Sequence, residues 1–317
     1  MTSFTVPHPI QYQGSKRSLA PTIIRYLPRH FQRLVEPFAG SGALSIACAA
    51  RGLADQFWLN DVNKPLANLL SLIVNHPKEL AESYARTWNA QHPDSLEHYY
   101  RVREDFNRTN DPELFLYLLA RCVKGAVRYN SDGLFNQSPD KRRQGTRPET
   151  MSRNIWGVSR ILKGRVVTTS LDYQDVLANV GSGDVVYMDP PYQGVCGDRD
   201  SRYFSGIEFD PYVEALRELN KRDIRYVVSY DGRTGTRTYG KSLPQSLQLV
   251  HVELDAGRSS QATLLGRDDV TVESLYLSAA LASEVEEQPT NYTRKASLQM
   301  RLLDSNNGTK KSIQKSF

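Results

Sequence analysis

Residues Asp189-Pro190-Pro191-Tyr192 follow directly on the aliphatic run ending at Met188, and they set a carboxylate, two stiff backbone units and an aromatic ring side by side. Each proline fixes its own φ and restricts the residue before it, so the carbonyl of Pro190 is held extended and aimed outward. This set suits one kind of chemistry. An aromatic amine is a poor nucleophile because its lone pair is delocalised into the ring. An enzyme that alkylates it must therefore accept hydrogen bonds from the amino group, which Asp189 and the Pro190 carbonyl can do. Tyr192 offers a face on which a base swung out of a duplex could stack. The plainer alternative is a proline-stopped strand end with a satisfied aspartate.

A second set lies near the N-terminus. Glu36-Pro37-Phe38-Ala39-Gly40-Ser41-Gly42 sits where a strand hands over to a helix, and small residues there let a ligand approach the backbone at the carboxyl end of a sheet. Asp61 follows about 20 residues on, where α/β folds place a carboxylate for the two ribose hydroxyls. Alone, the glycine turn could be an ordinary tight turn and Asp61 a helix N-cap ahead of Lys64 to Ile73. Their joint occurrence at this spacing points to an adenosine-containing cofactor.

These residues need a scaffold, and the chain has one. Arg33–Pro37 reads as a strand, Ala43–Ala50 as a buried helix closed by Gly52, and Phe57–Leu59 as the next strand. From Leu66 to about Gly125 the apolar spacing is helical and predicts two or three packed helices. Residues 129–153, rich in Gly, Asn, Ser, Pro and Arg, read as loops or a hairpin. Strands resume at Arg165–Thr169 and Gly183–Met188, followed by a helix over Asp210–Arg222 and strands at Ile224–Ser229, Leu247–Leu254 and Glu273–Ser278. The alternation implies a mainly parallel, doubly wound sheet.

The 317 residues are 39% hydrophobic, enough to build a core. The net charge is +5 and the isoelectric point about 9.0, the sign that suits a polyanion if the charge clusters. It does: residues 126–165 hold nine Lys or Arg against three acidic residues. Cys48, Cys122 and Cys196 are too far apart for a zinc pair or a disulfide framework and read as small buried hydrophobes. No apolar run is long enough to span a bilayer and no signal-peptide core is present, so a reducing cytoplasm is expected, with no membrane partner.

Taken in order, Glu36–Gly42, Asp61 and Asp189–Tyr192 resemble the Dam-like, alpha-group, adenine-specific DNA methyltransferases, and the match runs from about Gln11 to Ser278. The resemblance implies a Rossmann-like sheet with S-adenosyl-L-methionine as cofactor and adenine in a short double-stranded DNA target as substrate. Gln11-Tyr12-Gln13-Gly14-Ser15-Lys16 is similar to the family's N-terminal motif, with Tyr12 for the usual Trp and Ser15 for the second Gly. By resemblance, Tyr12, Lys16, Glu36, Phe38, Ala39, Gly40, Ser41, Gly42, Asp61, Asp172 and Asp189 would hold the cofactor. Asp61 would take its ribose and Asp172 its adenine. Asp189, Pro190, Pro191 and Tyr192 would be catalytic, and no metal is needed.

The family inserts its recognition region between the ribose-binding Asp and the catalytic motif. This implies a catalytic domain from 1–62 and 165–282, an insert from 63–164 and a disordered tail from 283 to the end. Within the insert, Arg128 to Asn136 resembles the family's hairpin. Arg128 would reach a base edge, Asn130 would touch the DNA, and Lys141, Arg142, Arg143 and Arg147 would lie against phosphates. Relatives that read GATC continue with a Pro-Phe-Gly-like stretch where this chain has Gln137-Ser138-Pro139-Asp140, so that specificity is not carried over. The resemblance also suggests a bacterial restriction-modification or phage setting, with a restriction endonuclease as functional partner.

Three other readings stay open. Some ribosomal-RNA methyltransferases also carry Asp-Pro-Pro-Tyr, although a compact enzyme of that kind would not need the long basic insert. A DNA-binding protein on an inactive methyltransferase fold is another. Gly235 to Ser242 fits the phosphate-binding loop formula of nucleotide hydrolases, but Pro244 and a strand follow where a helix is required.

Overall fold

A computed structural model of the chain describes residues 5–191, 207–234, 237–238, 242–258 and 270–287. Tyr192, Cys196 and most of Gly235–Ser242 lie outside the described residues.

Strands β1 (Phe31–Glu36), β2 (Ala54–Asn60), β3 (Val166–Thr169), β4 (Asp184–Met188), β5 (Arg225–Thr234), β6 (Arg237–Thr238), β7 (Val250–Arg258) and β8 (Val270–Leu277) form one sheet in the order 3-2-1-4-5-8-7, with β6 paired to β5. Strands β1 to β5 pair in parallel with one another, while β8 runs antiparallel to both β5 and β7. The order reverses between β1 and β4, and at such a switch point the strand ends diverge and leave a crevice. All five residues of β4 are buried, because helices cover both faces of the sheet. Leu34, Val185 and Val227 point into one core, while Val35, Val186 and Val228, their neighbours in sequence, point into the other. This alternation is the period of two that a strand imposes.

Helix α1 (Ala20–Ile23) is one turn, and α2 (Ala43–Arg51) closes on Gly52 as the sequence implies. The segment read as two or three helices holds four: α3 (Lys64–Asn75), α4 (Pro77–Asn89), α5 (Ser95–Thr109) and α6 (Pro112–Arg121). Pro77 cannot continue α3 and instead starts α4, and Asn110, in the left-handed region, ends α5. Two further helices add to the sequence reading. α7 (Pro148–Leu162) takes the end of the stretch read as loops, and α8 (Tyr173–Ala178) is capped by the Asp172 carboxylate. After α9 (Phe209–Lys221) and the last strands, the helix Ala279–Glu287 carries order past residue 283, where the tail was expected to begin, because Leu281 packs into the core. Residues 288–317 lie outside the described residues.

The helices that bound the insert do not stand apart from the sheet. α3 packs on β3 and α7, and α7 packs on α2. One hydrophobic cluster accordingly holds Leu34 and Leu59 of the sheet together with Phe106 and Phe115 of the insert. The insert also grips the N-terminal segment, since Gln13 N–H donates to the Gly125 carbonyl at 3.0 Å. Gly125 has φ +62°, and a Cβ there would lie 2.6 Å from the Gln11 carbonyl oxygen. Gly125→Ala is therefore expected to cost about 1–3 kcal/mol in backbone strain alone, with the clash adding to it. Urea unfolding measures this, and a variant as stable as the parent would show that the two segments do not pack this way.

Candidate active site

The crevice between β1 and β4 holds a cavity of about 450 Å³, within the range that takes a nucleoside-sized ligand. Of the residues assigned to the cofactor from sequence, Tyr12, Lys16, Glu36, Phe38, Ala39, Gly40, Ser41, Asp61, Asp172 and Asp189 line it. Gly42 does not, because its missing side chain would face Leu59 and Leu70 in the core. Pro190 and Pro191 line the same cavity, at its β4 end.

Each wall follows from local sequence. Gly40 adopts φ +52°, where a Cβ would lie 3.2 Å from the Tyr12 ring, so the bare backbone lets the aromatic residue of the N-terminal motif close over the turn. A Ser15–Ser41 hydroxyl contact of 2.9 Å ties the two segments. Asp61 sits just past the end of β2. Its Oδ2 accepts from Gly40 N–H and its Oδ1 from Asn63 N–H, both at 2.9 Å. Each carboxylate oxygen can accept more than one hydrogen bond, so both keep capacity for a hydroxyl. Asp172 accepts from Gln174 N–H at 2.8 Å as the α8 cap while still lining the cavity. Composition alone did not point to the wall formed by Val62, Val127, Leu171 and Ile207. The Phe38 and Tyr173 rings, 5.3 Å apart and tilted by 33°, add an aromatic wall beside them.

The Asp189 part of the cavity is organised by charge. Lys16 Nζ donates to Asp189 Oδ1 at 2.8 Å, although the two residues lie 173 positions apart. Burial works against the lysine's charge, but Asp189, Glu273 and Tyr187 outweigh it and hold its pKa above the ordinary lysine value. The buried Glu36 carboxylate accepts from Ser45 N–H at 2.8 Å. Burial pushes its pKa up to about 7; the bonds from Ser45 resist this, and the charge of Asp189 adds to it. Burial likewise raises Asp61 to about 6, against the two amides that bond it.

Both raised carboxyls favour folding in their neutral form. Their contribution is full below the unfolded value near pH 4 and is lost as pH rises through about 6 to 7. Glu36→Gln keeps an acceptor for Ser45 and removes the buried charge. It is expected to raise the unfolding temperature relative to the parent at pH 8 and to change it little at pH 4. Equal shifts at both pH values would contradict this account.

The insert presents the basic residues on a braced loop. Arg121, buried, donates to the carbonyls of Asp140 and Arg143. Tyr84 donates to the Thr146 carbonyl at 2.6 Å and Trp88 to that of Gln144 at 2.9 Å. With its carbonyls tied inward, the loop leaves Lys141, Arg142, Arg143 and Arg147 exposed. In the hairpin, Tyr129 bridges to Phe135. Asn130 spends its side-chain oxygen on the amides of Asp132 and Leu134, so it shapes the turn. Arg128 is half-buried, and its Nε has no hydrogen-bond partner among the described residues. The Tyr129 hydroxyl bonds Asn63, two residues from Asp61, and so joins the hairpin to the cavity wall.

Of the loop formula at Gly235–Ser242, Arg237 and Thr238 form β6, antiparallel to β5 with Arg233 opposite Thr238, and Pro244 leads into a 3₁₀ turn. Strand followed by strand is not the strand-to-helix turn that cradles phosphates. No helix among the described residues is long and apolar enough to cross a membrane.

A family model described as D12 class N6 adenine-specific DNA methyltransferase matches residues 12–256. The chain is 31% identical over 187 residues to the DNA adenine methylase of Serratia marcescens, covering 58% of this chain and 66% of that one. It is 29% identical over 187 residues to the DNA adenine methylase of Escherichia coli (strain K12), covering 58% and 64%. It is also 28% identical over 240 residues to the DNA N-6-adenine-methyltransferase of Escherichia phage P1, covering 72% of this chain and 30% of the phage protein. The matched region thus spans just under two thirds of the two bacterial relatives and under a third of the phage one.

Proposed function

The chain belongs to the D12 class N6 adenine-specific DNA methyltransferase family, and from that premise we propose that it transfers a methyl group from S-adenosylmethionine to the exocyclic amine of adenine in a short duplex target. The observation that carries this reading is the Lys16–Asp189 pair in a cavity also lined by Gly40, Asp61 and the Phe38–Tyr173 rings. The donor set fits the cofactor. Asp61 has acceptor capacity for ribose hydroxyls, the two rings offer a face for adenine, and the carboxylates of Glu36 and Asp189 suit a cationic sulfonium.

S-adenosylmethionine, when bound, supplies an electrophilic methyl carbon whose bond to sulfur breaks as the amine nitrogen bonds to it. The chain's own residues do the rest. Asp189 and the Pro190 carbonyl accept the hydrogens of the target amine, which turns its lone pair away from the ring and stabilises the charge that develops on nitrogen. Lys16 fixes the Asp189 carboxylate in place. Tyr192 stacks against the flipped base, and the amine proton leaves to solvent after transfer. Arg128 faces base edges, and Lys141, Arg142, Arg143 and Arg147 face phosphates. This places the protein with the cellular DNA of a bacterium or of a phage-infected cell, where a restriction endonuclease reading the same sequence would be its functional counterpart.

Offering the protein radiolabelled S-adenosylmethionine with an equal mixture of duplex DNA and folded RNA tests the substrate class. Label in the DNA is expected. Label in the RNA alone would overturn the reading in favour of an RNA methyltransferase, and ATP turnover lost on Lys241→Ala would favour the nucleotide hydrolase.

A further inference from the structure

Glu273 stands outside every motif that the sequence offers, yet it reaches the catalytic end of the cavity. It lies on β8, which runs antiparallel beside β5 and so begins at the carboxyl end of the parallel strands, where Asp189 follows β4. The pairing of β5 and β8 slips at this point. Ser274 faces Tyr230 and Val272 faces Arg233, so Glu273 stands alone opposite two residues of β5. The extra residue of this bulge lies on β5, and Glu273 keeps its regular place opposite Leu254 of β7. Glu273 Oε2 comes within 3.9 Å of Lys16 Nζ, which is itself 2.8 Å from Asp189 Oδ1. The lysine side chain is 9% exposed and that of Glu273 18%, so solvent screens this pair far less than a surface pair.

We propose that Glu273 is a positioning residue for methyl transfer, sharing the Lys16 ammonium with Asp189 so that the lysine does not neutralise the carboxylate that must accept the target amine. The inference rests on the function proposed above. One carboxylate on one ammonium makes a neutral pair, in which the lysine draws off the acceptor strength of Asp189. Two carboxylates on one ammonium leave these three side chains with a net charge of minus one, which favours the positive charge developing on the amine nitrogen. At 3.9 Å the Glu273 contact is an ion pair and not a hydrogen bond, so it acts through charge and orientation.

The test compares Glu273→Gln and Glu273→Asp with the parent in single-turnover methyl transfer at saturating donor and duplex, alongside the dissociation constants of donor and DNA. Glu273→Gln is expected to slow transfer by about ten- to a hundredfold, with both dissociation constants little changed. Glu273→Asp, which keeps the charge, is expected to recover most of the rate. Parental rates in Glu273→Gln would overturn the inference. So would equal losses in both variants with donor affinity falling in parallel, because that pattern marks a structural role. A parent protein that transfers no methyl group to DNA would instead sink the function on which the inference rests.

Discussion

Replacing Asp189 with asparagine is expected to lower the rate of methyl transfer by about 10²- to 10³-fold, the scale of losing a main charge-stabilising group from an enclosed site. The amide keeps one acceptor oxygen but puts two donors where the second oxygen stood. One of the two hydrogens of the target amine then meets a donor, and the negative charge opposite the developing positive nitrogen is gone. The geometry around it should survive. Breaking a buried ion pair by removing one partner can cost about 3–5 kcal/mol, but Lys16 keeps Glu273 at 3.9 Å. The loss of stability should therefore be smaller than that, and donor binding should persist because Asp61, Gly40 and the aromatic wall are untouched. Rapid-quench transfer kinetics with donor titration separate the two effects. A variant that turned over at the parental rate would remove Asp189 from the mechanism.

The second large effect concerns DNA affinity. Lys141, Arg142, Arg143 and Arg147 are exposed on a loop braced by Arg121, Tyr84 and Trp88, so neutralising all four should leave the loop in place while removing its charge. Each phosphate contact contributes about −0.9 to the slope of log affinity against log salt. The fourfold variant is thus expected to bind duplex about a hundredfold more weakly at low salt and to show a slope shallower by about 3 to 4. The loss should be similar for any DNA sequence, since phosphates carry none. An unchanged salt slope would mean that DNA lies elsewhere.

The parts of the site legible in the sequence are those whose chemistry is local. Asp189–Pro191 and Glu36–Gly42 declare themselves because proline pairs and left-handed glycines mark strand ends, and Asp61 because it falls one strand later. Their convergence on one cavity follows from the parallel order of β2, β1 and β4, which alternation already implied. Other features were hidden for different reasons. α7 carries Met151, Ile155, Val158 and Leu162 at helical spacing behind Pro148, but that signal adjoins a stretch with the composition of a loop. α8 is too short to show a period. The side-chain oxygen of Asn130 is bonded within its own turn, a contact that residue type and spacing do not show. Glu273 could not be found from spacing at all. An antiparallel strand beside β5 brings it within 3.9 Å of Lys16, and that pairing is not written in a local pattern.

The most direct test of the central claim is to digest duplex DNA, labelled by this protein from S-adenosylmethionine, to nucleosides and identify the one that carries the methyl group. The account predicts N6-methyldeoxyadenosine, with the label absent when Asp189→Asn replaces the parent. A methyl group found on cytosine, or label in adenine that persists in that variant, would contradict it.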